Sequence, residues 1–378
     1  MENMKTEIQS RSSGVLDRPL LLAIFALLGI GLLMIASAGV AYGKVRFGDE
    51  YFFLKQQCFG LAVGIISLFI VSRLDYHLFR KFVVPLFFLA VALLVMVFIP
   101  GVGTTVYGAA RWIELGPLSF QPSEVMKLAI ILYLAAWLSG KQQVKNNADF
   151  FEGYVPFVAI LSLVGFLIIK QPDTGTLGLI FCIALTIFFV SGARLSYIFF
   201  TILGGIATLA LLIRLAPYRM ERFLVFLNPD HDPLGSGYQL NQALMALGSG
   251  GWFGVGLGQG RQKFNYLPEP VTDSIFAVLG EEVGFIGVAV VVMLFLFVAW
   301  RGLRIAQRAP DMFGRLVAVG IISWIFIQAM INTMAISGII PLTGIPLPFI
   351  SYGGTSLAVL LTAIGILLNI SKQARLEA

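Results

Sequence analysis

Long apolar stretches alternate with short polar segments along almost the whole chain. A helix needs about 20 mostly apolar residues to cross the hydrocarbon layer of a bilayer. Counted against that length, the sequence contains ten such stretches. It therefore predicts an all-α polytopic membrane protein with about ten transmembrane helices. We number these spans 1 to 10 and place them at residues 19–40, 57–73, 82–99, 124–139, 154–169, 174–190, 195–213, 274–300, 315–338 and 353–371.

One polar interruption, residues 214–273 between spans 7 and 8, is far longer than the others. The predicted organisation is an N-terminal tail over 1–18, a ten-helix transmembrane domain over 19–371 and a C-terminal tail over 372–378. Span 1 ends in an Ala-Ser-Ala sequence that is typical of a signal-peptide cleavage site. Its apolar run is too long for a signal peptide, however, and nine more spans follow, so we interpret it as an uncleaved anchor.

Composition supports the membrane class. Hydrophobic residues make up 58% of the 378 positions and charged residues only 12%, which soluble domains of this size do not normally show. The net charge of +6 is dispersed among loops, so no nucleic-acid partner is predicted. Two cysteines and two histidines give no support for a disulfide framework or a multi-histidine metal centre.

Lys and Arg are distributed unequally between the two sides of the predicted bundle. With the N-terminus placed in the cytoplasm, the inner segments carry 15 of these residues, against 5 in the short outer segments. Long loops weigh little in the positive-inside rule. Both termini are therefore predicted to be cytoplasmic, and the 214–273 loop extracytoplasmic, in a multi-pass protein of the cytoplasmic (inner) membrane.

Four acids lie where that loop turns into span 8: Glu269, Asp273, Glu281 and Glu282. No Lys or Arg occurs between Lys263 and Arg301 to neutralise them. Ionisable groups are expensive in hydrocarbon and are rarely kept there without a task. This region is therefore the first candidate for a functional site. Glu281 and Glu282 lie about 12 to 13 Å deeper than Asp273 in a continuous helix, so we expect at least one of them to be paired inside the bundle in a structural or regulatory role.

Spans 4, 6, 8 and 10 all begin on the predicted outer side, and each begins with residues typical of helix caps. Helix N-termini carry unpaired N–H groups and partial positive charge, so four of them together would form an anion site. A cap at any one helix start is also ordinary. The four sequences are QPSE including Glu124, QPDTG including Asp173, VTDS including Asp273, and SYGGTS with Ser351 and Ser356.

Lys127 lies about one turn into span 4, where its charge opposes the helix dipole. Glu124, three residues earlier, can compensate part of that charge. One interpretation is a lysine that snorkels to the interface. The other is a lysine that binds phosphate, with Arg111 in the preceding loop as a second cation.

Two loops combine turn-forming residues with apolar ones. Residues 248–260 contain seven glycines, and the absence of a βαβ pattern excludes a dinucleotide-binding fingerprint. We expect close packing of half-inserted segments there. The proline-rich sequence IIPLTGIPLPFISYGG predicts a re-entrant or surface connection whose backbone is satisfied by protein or water.

Several long sequences resemble, in order and over about residues 18–373, the SEDS family of cell-wall polymerases, and its cell-division branch more than its elongation branch. These sequences are GAARWIELGPLSFQPSEVMKLAIILYLAAWL, QPDTGT, NPDHDPLGSGYQLNQALMALGSGG, YLPEPVTDSIFAVLGEEVGFIG and TGIPLPFISYGGTSL. The resemblance implies a ten-helix peptidoglycan glycosyltransferase that polymerises lipid II at the outer membrane face, with the essential aspartate at Asp273. Members commonly read E-A-H-T-D-F where residues 269–274 read E-P-V-T-D-S, so no histidine adjoins this acid.

The chemistry implied by the resemblance fits these residues. Asp273 would be the general base for the acceptor hydroxyl. The diphosphate-binding side would be formed by the helix N-termini and by Lys127, Arg111, Glu124, Ser351 and Ser356. It would stabilise the leaving group electrostatically. A divalent cation, Mg²⁺ or Mn²⁺, is an option that no motif establishes. The implied partners are lipid II, a class B penicillin-binding protein and other membrane proteins of the division complex at the septum.

Two other classes of function stay open. A flippase for lipid-linked precursors would need ionisable groups near the midplane and usually internal repeats, whereas the candidates here gather toward the outer ends. A non-catalytic scaffold for division enzymes would explain the many spans but not the position of Lys127. An elongation role in place of division is a further alternative within the family.

Overall fold

The computed structural model describes residues 16–106, 109–115, 118–140, 148–228, 232–233, 235–264 and 266–374. Three short strands form one sheet: β1 (Gly103–Val106), β2 (Ala109–Leu115) and β3 (Leu118–Phe120). The helices are α1 (Arg18–Phe47), α2 (Phe52–Val71), α3 (His77–Met96), α4 (Pro122–Leu138), α5 (Val155–Lys170), α6 (Thr174–Val190), α7 (Leu195–Leu215), α8 (Pro217–Leu227), α9 (Tyr238–Ser249), α10 (Ile275–Gln307), α11 (Met312–Ile336) and α12 (Gly354–Gln373).

Each predicted span coincides with a helix: spans 1 to 7 with α1 to α7, and spans 8 to 10 with α10 to α12. Within the described ranges, eight helices are long and apolar enough to cross a bilayer. One of the eight is α5 together with the π-helical turn Phe150–Tyr154 that precedes it. The other two helices, α4 and α6, have 17 residues each. The all-α polytopic class is therefore confirmed, while ten complete crossings stay a prediction.

The centre of the bundle is formed by α4, α11 and α12, whose side chains are mostly buried. Helix α11 packs against α4, α6 and α10, and α12 packs along α2. The α2–α12 contact depends on glycine: a Cβ on Gly60 would lie 2.5 Å from Gly354 Cα, and one on Gly365 would lie 2.9 Å from Leu68 O. Small residues at such contacts let membrane helices approach closely and gain van der Waals energy.

The three-stranded antiparallel sheet between α3 and α4 has the order β1-β2-β3 and was not predicted from the sequence. The side chains of two residues hold it on the helices. Arg111 Nε on β2 donates to Gln171 O at 3.1 Å, and Thr355 Oγ1 on α12 donates to Ser119 O on β3 at 2.8 Å. The sheet therefore lies over the starts of α6 and α12.

The glycine-rich segment of the long loop packs into a break in α10, as expected for a half-inserted segment. Gly284 has φ 67° and ψ −171° and interrupts the helix. Val255 N donates to Glu281 O at 3.0 Å, and Phe285 N donates to Gly251 O at 2.9 Å. The loop thus pairs the backbone groups that the kink leaves free, which buried polar backbone requires. A Cβ on Gly284 would lie 2.3 Å from Gly254 N, so the contact needs glycine.

The predicted helix caps are only partly present. Asp173 caps α6, since its carboxylate accepts from Thr176 N at 3.1 Å. The cap residues of α4, α10 and α12 are Gln121, Ser274 and Gly353, and none of them makes a side-chain cap bond. The capping prediction is therefore wrong for three of the four starts. At the start of α4, the N–H of Glu124 donates instead to the backbone carbonyl of Gln121, at 3.1 Å.

Candidate active site

Asp273 lies directly before α10 and is partly exposed. Its Oδ2 accepts a hydrogen bond from Gln239 Nε2 of α9 at 3.2 Å, and its Oδ1 accepts from Thr272 Oγ1 at 3.3 Å. Its backbone carbonyl accepts from Asn332 Nδ2 of α11 at 2.9 Å. Side chains from two other helices thus fix the position of this carboxylate.

The backbone that leads to Asp273 is held by the connection between α11 and α12. Ser351 Oγ donates to Thr272 O at 2.5 Å and accepts from Leu347 N at 2.8 Å. Tyr352 N donates to Val271 O at 2.8 Å. Ser351, predicted to contact substrate, is buried and orients the segment next to Asp273. Ser356 lies in the first turn of α12 and is partly exposed.

The surroundings of Asp273 raise the pKa of its carboxyl group above that of free aspartate. Burial among the surrounding residues raises the pKa of Asp273, and the negative charge of Glu269 raises that pKa further. The hydrogen bond from Gln239 and the positive charge of Arg222 act in the opposite direction. The net upward direction brings the carboxylate closer to the range in which a general base is effective.

Glu269 forms a second acidic position beside Asp273. Its Oε2 accepts from Thr272 Oγ1 at 3.0 Å, and its Oε1 accepts from Tyr42 OH of α1 at 3.2 Å. Arg46 Nη1 lies 4.0 Å from the same Oε1. The single hydroxyl proton of Thr272 is thus shared between two carboxylates, and the contact with Glu269 is the shorter one. The backbone of Glu269 has φ 49°, an uncommon conformation for a residue with a side chain.

Lys127 lies inside the protein. Its side chain and that of Glu124 are 2% and 3% exposed, with Lys127 Nζ 2.8 Å from Glu124 Oε1. Lys127 Nζ also donates to Gln328 Oε1 of α11 at 3.1 Å. The contact with Glu124 at i−3 is the one expected from the sequence, but Lys127 does not snorkel to an interface. Binding of diphosphate by Lys127 stays a prediction, and it requires access that this arrangement does not provide.

Arg111 and Asp173 meet at the start of α6. The guanidinium of Arg111 donates to the carbonyls of Gln171 and Pro172, and Asp173 caps the helix that follows. These bonds give both residues structural roles. A contact of Arg111 with diphosphate stays a prediction.

The expectation of an internal pair for the deeper acids is confirmed. Glu282 Oε1 lies 2.6 Å from Lys263 Nζ, and both side chains are buried. Ser37 Oγ of α1 donates to the same carboxylate at 2.6 Å, and Gly258 N donates to it at 3.0 Å. Glu281 accepts from Arg261 N at 2.7 Å. The two acids therefore hold the glycine-rich loop against α10 and α1. The cation that neutralises Glu282 is Lys263, the residue at the N-terminal end of the 263–301 interval.

The starts of α4, α6, α10 and α12 meet around residues 337–353. Gln328, which binds Lys127, donates to Pro346 O at 2.8 Å. Asn332, which binds Asp273 O, donates to Ile345 O at 2.8 Å. A Cβ on Gly175 of α6 would lie 2.7 Å from Thr343 O. The anion-site hypothesis depended on these helix starts coming together; they do so, with protein backbone packed between them.

Comparison with known proteins decides the family. The sequence matches the cell cycle protein family of FtsW, RodA and SpoVE over residues 18–376.

The chain belongs to the FtsW/RodA/SpoVE family.

Stage V sporulation protein E of Bacillus subtilis (strain 168) is 47% identical over 359 residues, which are 95% of this chain and 98% of the relative. The probable peptidoglycan glycosyltransferase FtsW of Trichlorobacter lovleyi is 41% identical over 360 residues, 95% of this chain and 94% of the relative. The sequence resemblance is thereby confirmed for almost the full length of the chain.

Solved structures of the family share the fold. A chain of a peptidoglycan synthase complex that coordinates polymerization and crosslinking superposes with a TM-score of 0.78 at 28% identity, over 96% of this chain and 99% of that one. The rod shape determining protein RodA of Thermus thermophilus gives a TM-score of 0.71 at 26% identity, over 96% and 99%.

Several residues of this family member's site were missed in the sequence. Gln328 and Asn332 are four residues apart on α11, so they share one helix face. Two amides inside an apolar span are a recognisable signal, because polar groups in membrane helices are expensive. Gln239 and Arg222 lie in the polar 214–273 loop, where such residues are common and carry no signal by themselves.

Metal binding has limited support from the side chains. The described residues contain no group of three or more His, Cys, Asp or Glu that could hold a metal ion. Glu269 and Asp273 supply two carboxylates, both within hydrogen-bonding distance of Thr272 Oγ1. A divalent cation there would need further oxygen ligands, which a diphosphate could provide. The Mg²⁺ or Mn²⁺ option stays a prediction.

Proposed function

We propose that this chain is a peptidoglycan glycosyltransferase that polymerises lipid II at the outer face of the cytoplasmic membrane, for septal wall synthesis in cell division. The observation that carries the proposal is Asp273: a partly exposed carboxylate, held by Gln239 and Thr272, whose pKa is raised by burial and by Glu269. The names of the curated relatives support the chemistry.

The reaction proposed for Asp273 is one direct displacement. Asp273 takes the proton of the acceptor's GlcNAc 4-hydroxyl as that oxygen forms a bond to C1 of the donor's MurNAc. The bond from C1 to the diphosphate breaks, and undecaprenyl diphosphate leaves with the electron pair. Attack from the opposite face inverts the α-linked carbon to a β-1,4 linkage.

Gln239 and Asn332 would position the base. Gln239 donates a hydrogen bond to one carboxylate oxygen, and Asn332 fixes the backbone carbonyl of the same residue. A group held in this way loses little free energy to reorganisation when the substrate binds. Exchange of either amide should therefore reduce turnover without removing the base itself.

A class B penicillin-binding protein, a single-span transpeptidase, is the proposed partner. The structural neighbour from a peptidoglycan synthase complex supports a partner of this kind. The polar 214–273 loop offers one docking surface and the exposed faces of the spans offer another. Co-purification in mild detergent tests this part, and its failure together with full activity of the lone chain would contradict an obligate complex.

The experiment that tests the function is incubation of the purified chain, with its partner, with labelled lipid II in vesicles. Glycan ladders on a gel are the expected product. Transfer of labelled lipid II between leaflets without glycan would indicate a flippase. The absence of both, with intact partner binding, would indicate a scaffold. Depletion of the protein in cells, with filaments expected for a division role and rounded cells for an elongation role, tests the septal assignment.

A further inference from the structure

The two cations expected to hold the diphosphate are both bonded to other residues of the protein. Lys127 is paired with Glu124 and bound to Gln328. Arg111 is bound to the carbonyls of Gln171 and Pro172. A leaving group with two negative phosphates needs a positive charge near the reacting carbon. The proposed reaction therefore needs another cation near Asp273.

Arg222 of α8 meets that requirement by position. It is exposed, and its Nη1 donates to Leu342 O at 3.2 Å. Leu342 lies two residues before Gly344, where a Cβ would be 3.9 Å from Asp273 Oδ2. The guanidinium thus bonds to the connection between α11 and α12, which also lies next to the carboxylate of Asp273. The positive charge of Arg222 is also close enough to lower the pKa of Asp273.

Most of the donors of Arg222 remain available. A guanidinium has five N–H donors in a planar fork that fits phosphate oxygens. Among the residues that the structure describes, Leu342 O is the one hydrogen-bond acceptor of Arg222. An exposed side chain of this length can keep that bond and still offer its outer N–H groups to a ligand.

We propose that Arg222, bonded to the 337–353 connection next to Asp273, forms the binding site for the diphosphate of the polyprenyl-linked substrate. This inference rests on the proposed function and adds a residue to it. The other charges around Asp273 are those of Glu269, which raises the pKa of Asp273, and of Arg46, whose Nη1 lies 4.0 Å from Glu269 Oε1. A diphosphate bound by Arg222 would lie next to the reacting carbon, while the hydroxyl approaches Asp273.

Arg219 is a matched control on the same helix. Its Nη1 donates to Leu212 O at 3.2 Å, and its Nε donates to Tyr218 OH at 2.8 Å. It therefore has the same residue type and the same kind of carbonyl bond, but it faces the end of α7. Arg219→Ala should leave the kinetics of glycan synthesis unchanged.

The test compares Arg222→Ala, Arg222→Gln, Arg222→Lys and Arg219→Ala in neutral phosphatidylcholine vesicles with labelled lipid II. Loss of a charge-assisted contact should lower kcat/KM by about ten- to a hundredfold in Arg222→Ala and weaken inhibition by added undecaprenyl diphosphate by a similar factor. Arg222→Lys should retain much of both. Arg222→Gln can still donate to Leu342 O, so it separates loss of charge from loss of a structural bond.

The pH profile adds a readout that a purely structural role would not move. Without the positive charge of Arg222, the pKa of Asp273 rises further, so the acidic limb of the rate profile should shift to higher pH in Arg222→Ala and Arg222→Gln but not in Arg219→Ala.

Three results would overturn the inference. The first is normal kinetics in Arg222→Ala, and the second is full activity with normal inhibition in Arg222→Gln. The third is an effect that occurs only when anionic phosphatidylglycerol replaces phosphatidylcholine, which would assign Arg222 to phospholipid headgroups. Failure of the wild-type protein to form glycan at all would instead overturn the proposed function, and this inference with it.

Discussion

Lys127 Nζ lies 2.8 Å from Glu124 Oε1 one turn into α4, with both side chains almost fully removed from solvent. This pair lies between the helix start and α11, where Gln328 and the Trp324 ring complete the surroundings of the lysine. The lysine that the sequence singles out as a phosphate ligand is thus part of the interior. Among the described residues, Glu124 Oε2 and Ser123 Oγ are buried without a hydrogen-bond partner, so this interior is polar and only partly satisfied.

The first prediction concerns that pair. Lys127→Ala should lower the free energy of unfolding by about 3–5 kcal/mol, because it leaves Glu124 buried and unpaired. The double variant Lys127→Met with Glu124→Gln should recover most of the stability. Thermal unfolding in detergent, followed by size-exclusion chromatography, measures both.

Lys55→Ala is the control, since Lys55 forms an exposed pair with Asp49 and such pairs contribute little. Polymerisation by the folded double variant then tests whether Lys127 binds phosphate. Near-normal glycan synthesis there would restrict Lys127 to a structural role.

The second prediction concerns Lys263 and Glu282. Lys263→Met should destabilise the protein by about 3 kcal/mol or more, because Glu282 is left as a buried charge. The glycine-rich loop should also become accessible to protease, since Glu281 and Glu282 hold it through backbone N–H groups. Limited proteolysis with mass spectrometry measures the cleavage. Lys44→Met, which breaks an exposed pair with Glu50, should change neither property, and equal behaviour of the two variants would contradict the assigned role.

The third prediction concerns orientation and rests on the unequal distribution of Lys and Arg. In a background with Cys58 and Cys182 replaced, a cysteine at Ser236 should react with an impermeant maleimide added to intact cells. A cysteine at Gln307, which is exposed at the end of α10, should react only after permeabilisation. The opposite labelling would place Asp273 on the cytoplasmic side and contradict the proposed reaction with lipid II at the outer face.

The fourth prediction concerns pH. The base acts when ionised, so turnover should fall as the pH drops through the raised pKa of Asp273. The charge of Glu269 contributes to that rise, so Glu269→Gln should move the acidic limb of kcat/KM to lower pH. Glu50→Gln, an exposed acid paired with Lys44, should leave the limb in place. An unchanged limb in Glu269→Gln would show that a group other than Asp273 controls it.

The spans could be predicted from the sequence because crossing a bilayer imposes a length and a composition that are readable in one chain. Span 6 was placed at the residues of α6, for example, and the acid at Asp273 is a visible anomaly beside span 8. The pairing of Lys263 with Glu282 was not predicted, because it depends on how the glycine-rich loop folds back onto α10. The sheet that carries Arg111 was also not predicted, because its strands are short and lie between apolar spans.

The positions of Gln239 and Asn332 could not be derived from spacing. They reach Asp273 from α9 and α11, which are 34 and 59 residues away along the chain. Such long-range contacts follow from packing of the whole bundle, and local pattern does not encode them.

The central claim is that Asp273 is the base. Asp273→Asn keeps the size of the side chain and an oxygen that can accept from Gln239, so the fold and lipid II binding should be retained. The N-cap residue of α10 is Ser274, so loss of a cap does not explain an effect at Asp273. The exposed Asp49→Asn serves as the control.

The measurement is glycan synthesis from labelled lipid II by Asp273→Asn and wild type at equal protein and lipid. Loss of roughly two to four orders of magnitude in turnover, with lipid II binding intact, is the expected result for removal of a general base. Turnover within a few-fold of wild type would contradict the assignment.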